Sequence, residues 1–148
     1  MSVLQYLRTE SKAEYVNTAN ALYVETLHLL THLSSRYSRL VAQPTARLAG
    51  EVQDYAEKAN ATYPSDEMRK KVRKEFLLHA VASLSALDVR LTQCYILLRC
   101  DKKGIVNSRQ EPRTDAEQTI DRISEQTGLL IEQEKTLLKK VMESDAKR

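Results

Sequence analysis

The sequence contains little of what builds sheets, disulfides or catalytic loops. Its 148 residues include only three glycines, three prolines, two cysteines and no tryptophan. Sheet proteins need turn residues at intervals of about 8–12 positions, so this scarcity argues against an all-β fold. No run reaches about 18 apolar residues, which argues against a membrane span. These absences favour a single helical domain, the organisation expected at this length.

Motifs that carry chemistry are also scarce. Cys94 and Cys100 are six positions apart, unlike the C-x-x-C spacing of redox and zinc motifs. The chain has no G-x-S-x-G nucleophile motif and no glycine-rich phosphate loop. We therefore expect no enzyme activity, no cofactor and no small-molecule substrate. Residues 1–10 lack the basic and apolar segments of a signal peptide, so we expect a cytoplasmic protein without a membrane partner.

The chain does contain four amphipathic stretches, in which apolar residues recur every three or four positions. The predicted helices cover about residues 12–40, 44–61, 66–100 and 114–142. Pro44 suits a helix start, and Ser65 is placed to cap the third helix. No linker or repeat divides residues 1–148, so they form one domain. The predicted fold is all-α, an antiparallel up-down-up-down four-helix bundle, because this architecture buries four such faces most simply.

Some apolar residues fall outside the predicted buried faces. They are Leu22, Leu29, Leu77 and Tyr95. Exposed apolar side chains often mark contacts with another protein. We therefore expect these four positions to contribute to an interface.

One group of residues carries a possible metal motif. Glu25, His28 and His32 include a Glu-x-x-His pair, the spacing that builds di-iron sites inside four-helix bundles. Such a site needs a second Glu-x-x-His pair, but the other histidine, His79, follows Phe76 at that spacing. We therefore expect no metal, and we keep a metal-binding bundle only as a third hypothesis.

The charge is unevenly distributed along the chain. The net charge is +3, but residues 69–109 hold ten basic against three acidic residues, whereas residues 110–148 hold seven against nine. The densest cluster opens the third predicted helix and contains Arg69, Lys70, Lys71, Arg73 and Lys74. A helix dipole disfavours cations at its N-terminus, so helix stability does not explain this cluster.

Two interpretations of the basic residues remain open, a solvated face and the binding of an anionic partner such as nucleic acid. Arg69 and Arg73 continue the line of the core leucines, so we expect that end of the helix to overhang the bundle or to meet a partner. Arg36 and Arg39 flank Tyr37, a possible stacking residue. The predicted nucleic-acid-binding set is Arg69, Lys70, Lys71, Arg73, Lys74, Arg36, Arg39, Lys102, Lys103 and Arg109.

Two segments resemble a known family. The first is Lys58-Ala-Asn-Ala-Thr-Tyr-Pro64, and the second is the basic, then small-residue and leucine-rich run from Met68 to Asp88. Together they resemble the four-helix-bundle family that includes the accessory variability determinant of diversity-generating retroelements and the bundle proteins encoded in ribosomal-RNA intervening sequences.

The resemblance implies a ring-shaped homopentamer that binds RNA and a reverse transcriptase and supports cDNA synthesis. By position, it implies that Arg69, Lys70, Lys71, Arg73 and Lys74 face nucleic acid or the polymerase. The leading hypothesis is therefore a non-enzymatic RNA-binding scaffold. The alternative is an oligomeric protein–protein assembly module without a nucleic-acid role.

Overall fold

The computed structural model describes residues 13–100 and 113–148. Its four long helices are α1 (Glu14–Leu30), α2 (Gln43–Ala61), α3 (Glu67–Cys100) and α4 (Arg113–Ala146). Contacts join α1 to α2, α2 to α3, α3 to α4 and α4 back to α1, which closes an up-down bundle. The prediction of an all-α four-helix bundle is confirmed.

The core is built mainly from leucine, alanine and isoleucine. Each helix contributes side chains that are at most 1% exposed, including Leu22, Leu29, Val52, Ala56, Leu84, Leu87, Ile120 and Leu138. Small residues dominate the buried face of α2, where Ala49, Ala56 and Ala59 alternate with Thr45 and Val52. Because small side chains let helix backbones approach closely, they suit the extensive packing of α2 against α3.

The prediction that Leu22, Leu29 and Leu77 are exposed is wrong, because all three are at most 1% exposed. The spacing of apolar residues predicts a buried face on the first helix through Val16, Ala19, Tyr23, Leu27, Leu30 and Leu33. The observed face is rotated from it, because Tyr23 and Leu27 are only half-buried whereas Leu22 and Leu29 are buried. Thr18 and Thr26 occupy core positions, so a stripe traced through apolar residues alone missed that face. The threonine methyl groups pack as apolar groups at these positions, while the buried hydroxyl of Thr26 has no hydrogen-bond partner among the described residues.

The first predicted helix is also too long, because α1 ends at Leu30 rather than near residue 40. Leu33 is 4% exposed and anchors the chain in the core just after the helix end. Ser34 is extended, and residues 35–42 then form a short helical turn and a π-helical segment that continue into α2. The widened π turn lies directly before Pro44, where the missing N–H and the ring oppose regular α-helical bonding.

Two further boundaries depend on polar residues. Oδ1 of Asp66 accepts a hydrogen bond of 2.8 Å from the N–H of Arg69, so Asp66 caps α3 in place of the predicted Ser65. α4 continues to Ala146, four residues beyond the predicted end. The sequence stripe stops at the last apolar residue, Met142, whereas the final turn of α4 is held by Asp145, whose partner is described below.

The outer surface of α3 carries three well-exposed apolar side chains. Leu78, Val89 and Ile96 are 46%, 59% and 51% exposed and lie on one side of the helix, opposite the buried leucines. As a result α3 is long and apolar enough to cross a membrane by length and composition alone, a property that it shares with core helices of soluble proteins. Within the described chain, its outer stripe has no covering element.

Among the residues whose burial the structure describes, Glu134 of α4 is the acidic residue that is fully buried. Its side chain is 0% exposed, and neither carboxylate oxygen has a hydrogen-bond partner among the described residues. Burial therefore raises the pKa of Glu134 to about 8. The carboxyl group is neutral when the protein is folded at moderate pH, because an unpaired buried carboxylate would be costly.

We predict that the Glu134→Gln substitution flattens the pH dependence of stability. The pKa of Glu134 is higher in the folded than in the unfolded chain, so its ionisation on unfolding lowers stability as the pH rises from about 4.5 to about 8. Urea unfolding at pH 5, 7 and 9 measures this loss, which for the native chain is on the order of a few kcal/mol. Glu125→Gln, an exposed change on the same helix, is the control. Equal pH profiles for the native and Glu134→Gln proteins would contradict the buried acid.

Candidate nucleic-acid interface

The N-terminal end of α3 concentrates positive potential. Its first eight residues include Lys70, Lys71 and Lys74, and the unpaired N–H groups of a helix start add a further partial positive charge. Lys70 contacts Glu67 at 3.3 Å in an exposed pair, which contributes little because water screens it. Lys71 and Lys74 form no ion pair with any described residue.

Arg73 differs from the other basic residues of this segment because it is used inside the fold. Its Nε donates a 2.6 Å hydrogen bond to Oδ2 of Asp145, and both side chains are largely buried, at 12% and 18% exposed. Its Nη1 also donates to the carbonyl oxygens of Ala59 at 3.0 Å and Thr62 at 3.3 Å. Arg73 thereby joins the end of α2, the start of α3 and the end of α4.

The two arginines that the sequence left without a partner therefore have different roles. Arg73 has its partner, Asp145, within the same chain, so the expected overhang or external partner is wrong at this position. Arg69 is exposed, with Asp66 at 3.7 Å, and remains accessible from solvent. Of the five basic residues that open α3, Arg73 is the one whose charged group is largely buried and bonded within the fold.

A groove of about 520 Å³ runs between the start of α3 and the end of α4. Its cationic residues are Lys70, Lys71 and Lys74 from α3 and Arg148 beyond the end of α4. Met142 provides apolar surface, whereas Leu77 belongs to the wall of the groove but is only 1% exposed. The two acidic residues are Glu67 and Asp145, which pair with Lys70 and Arg73. The groove thus presents more free positive than negative charge. Sequence analysis missed Arg148, because only the packing of α4 against α3 brings it to this groove.

Two further predicted residues, Arg36 and Arg39, do not line this groove. Arg36 and Arg39 are exposed in the segment that precedes α2. Thr45, a few residues later, lies 3.7 Å from Cys94 of α3, whereas Arg73 marks the other end of that helix. Arg73 and Cys94 are 21 positions apart, which corresponds to about 30 Å of helix, so Arg36 and Arg39 lie near the opposite end of the bundle. Lys102, Lys103 and Arg109 lie outside the described residues.

Tyr37 and Tyr95 also differ from their predicted settings. Tyr37 is half-buried against the core rather than free to stack on a base. Tyr95 is half-buried and its hydroxyl donates a 2.8 Å hydrogen bond to Asp121, which raises the pKa of Tyr95. Both aromatic rings therefore serve contacts within the bundle.

The histidine motif gives no metal site in the part of the chain that the structure describes. Nδ1 of His28 lies 3.7 Å from Glu25, but His32 follows the end of α1, so the three do not share a helical face. Burial and then the neighbouring His28 lower the pKa of His32. No group of three potential metal ligands occurs among the described residues.

The fold and this groove define the class of the molecule, an all-helical four-helix protein with a basic groove at one end. Comparison of the chain with protein-family models, curated proteins and solved structures finds no match in any of the three.

We predict that Arg73→Ala destabilises the bundle by about 2–4 kcal/mol, because it leaves Asp145 buried without a partner. Urea unfolding of Arg73→Ala, Asp145→Ala and the double variant gives the coupling energy between the two side chains. Arg69→Ala is the matched control, since its ion pair is exposed and its removal costs at most about 0.5 kcal/mol. Equal small effects at positions 69 and 73 would contradict the structural role of Arg73.

Proposed function

We propose that this protein is a non-enzymatic RNA-binding scaffold that associates with a reverse transcriptase and supports template-directed cDNA synthesis. The observation that carries the proposal is the groove lined by Lys70, Lys71, Lys74 and Arg148. It gathers cations from two helices that are distant in sequence. Such a surface attracts a ligand with many negative charges.

The chemistry of the groove fits phosphate groups better than a small substrate. Lysine ammonium groups are flexible point charges that neutralise phosphates without reading a sequence. The apolar part of the groove, at Met142, offers no nucleophile, and the residues that line the groove include no histidine or cysteine. Binding through such cations gives sequence-independent affinity, so specificity would come from the shape of the RNA or from the polymerase.

The association with a reverse transcriptase depends on the resemblance of the Ala-Asn-Ala-Thr-Tyr-Pro turn and the basic start of α3 to the retroelement accessory family. In the structure this turn and this helix start are in direct contact, because Arg73 donates to the carbonyl oxygen of Thr62 at 3.3 Å. The two segments that carry the resemblance therefore form one structural unit.

The outer stripe of α3 supports the part of the proposal that concerns assembly. Leu78, Val89 and Ile96 present an apolar surface with no covering element among the described residues. A homo-oligomer, a pentamer by resemblance, would cover this stripe and repeat the basic groove in each copy. Repetition turns weak phosphate contacts into strong overall binding through avidity, which fits a net charge of only +3 per chain. The second candidate function, an assembly module without RNA, rests on the same stripe.

We predict that replacing Lys70, Lys71 and Lys74 with alanine weakens RNA binding by about tenfold or more and reduces its salt dependence, because phosphate contacts release bound counterions. Fluorescence anisotropy with a labelled structured RNA at about 50 and 200 mM salt measures both effects. The control replaces Arg47, Arg90 and Arg122 with alanine. This variant loses the same amount of positive charge, but from positions that do not line the groove. Equal losses of affinity in the two triple variants would indicate that only the net charge of the protein matters. Unchanged RNA binding in the lysine variant would contradict the groove as the RNA site and would favour the second candidate function, an assembly module without RNA.

We also predict that Val89→Glu lowers the oligomeric mass of the protein, because a carboxylate in a dry interface lacks a partner. Light scattering coupled to size-exclusion chromatography measures the mass. Gln126→Glu adds the same charge at an exposed position on α4 and should leave the mass unchanged. A monomeric native protein, or an unchanged mass in Val89→Glu, would remove this stripe from the proposal.

A further inference from the structure

The turn between α2 and α3 holds an exposed aromatic ring. Tyr63 is 68% exposed, although the backbone on both sides of it is fixed. The carbonyl oxygen of Thr62 accepts from Arg73 at 3.3 Å, Pro64 is buried, and the N–H of Ser65 donates to the carbonyl oxygen of Tyr63 at 2.9 Å. The turn is thus tied to the bundle while the ring lies in solvent.

Two other apolar side chains lie close to this turn in the chain. Met68 is 77% exposed and Val72 is 36% exposed, and residues four apart share one side of a helix. Met68 and Val72 begin the same helix that carries Arg69 and the groove lysines. Tyr63 lies four residues before the first residue of that helix, so aromatic, apolar and cationic groups occupy one end of the bundle.

We propose that Tyr63 is a stacking platform for an unpaired base, which makes single-stranded RNA the ligand of this end of the bundle. This inference rests on the proposed function and adds the ligand class. Proteins that bind single strands combine cations that follow the phosphates with aromatic rings on which bases stack. In a duplex the bases are stacked on each other, so no free base face is available to the Tyr63 ring. Asp66 and Glu67, the acidic residues between the ring and these cations in the chain, pair with Arg69 and Lys70. Lys71 and Lys74 therefore keep this end basic, which favours a nucleic acid over an apolar protein surface.

The position of Tyr63 suits this role because the ring loses little freedom on binding. Its neighbours fix the backbone, and a tyrosine side chain has only two rotatable angles to order. The rise of α3 from Glu67 to Lys74 is about 10 Å, so a short strand can reach from the turn to the groove lysines. Phosphate contacts would then hold the strand, and stacking would select unpaired segments.

The test compares Tyr63→Ala and Tyr63→Phe for binding to an unstructured single-stranded RNA and to a duplex RNA of the same length. We expect Tyr63→Ala to weaken single-strand binding about 5- to 100-fold, with Tyr63→Phe close to the native protein and duplex binding unchanged. Leu40→Ala is the control, because Leu40 is also 68% exposed but lies in the segment before α2. Because the chain has seven tyrosines, the second readout of stacking is the part of the RNA-induced quenching of tyrosine fluorescence that is lost in Tyr63→Phe.

Three results would overturn the inference. Native single-strand affinity in Tyr63→Ala, together with a loss in the lysine variant, would leave the proposed function standing without stacking. Equal losses for single-stranded and duplex RNA would show that the ring does not select unpaired bases. An altered oligomeric mass in Tyr63→Ala would assign the ring to a protein contact. Absence of RNA binding in the native protein would instead refute the proposed function itself.

Discussion

The buried contact between Arg73 and Asp145 is the interaction on which the basic end of the bundle depends. The guanidinium satisfies a carboxylate in the last turn of α4 and two carbonyl oxygens at the end of α2. Helix ends carry unpaired carbonyl groups, and Asp145 adds a negative charge where the dipole of α4 is already negative. Arg73 donates hydrogen bonds to all three of these acceptors, the carboxylate of Asp145 and the carbonyl oxygens of Ala59 and Thr62. It thereby fixes the positions of three helix ends relative to one another.

This contact also determines which cations remain available. Because Arg73 neutralises Asp145, the negative charge of this carboxylate does not cancel the positive charge of the lysines beside it in the groove. Lys70, Lys71 and Lys74 follow the surface of α3 around the same turn and face the groove, while Arg148 approaches from the end of α4. A basic run that looks uniform in sequence is therefore divided into one internal residue and several external ones.

The sequence predicted the number and type of helices well, because apolar residues at spacings of three and four persist through each of them. It did not predict the partner of Arg73, since Asp145 lies 72 positions away in a polar turn that carries no apolar signal. It also misjudged Leu22 and Leu29, because threonines complete the buried face of α1. The ten predicted basic residues could not be sorted without packing. Helix ends far apart in sequence form one groove, whereas Arg36 and Arg39 lie near the other end of the bundle.

The most direct test of the account is hydrogen–deuterium exchange of the native protein with and without saturating RNA. If RNA binds the lysine groove, exchange slows in residues 62–75 and in the last turn of α4. These segments share the Arg73 contact and surround the lysine groove. Protection confined to residues 35–42 would place the RNA near the opposite end of the bundle. That result would contradict the account, as would exchange that RNA leaves unchanged throughout the chain.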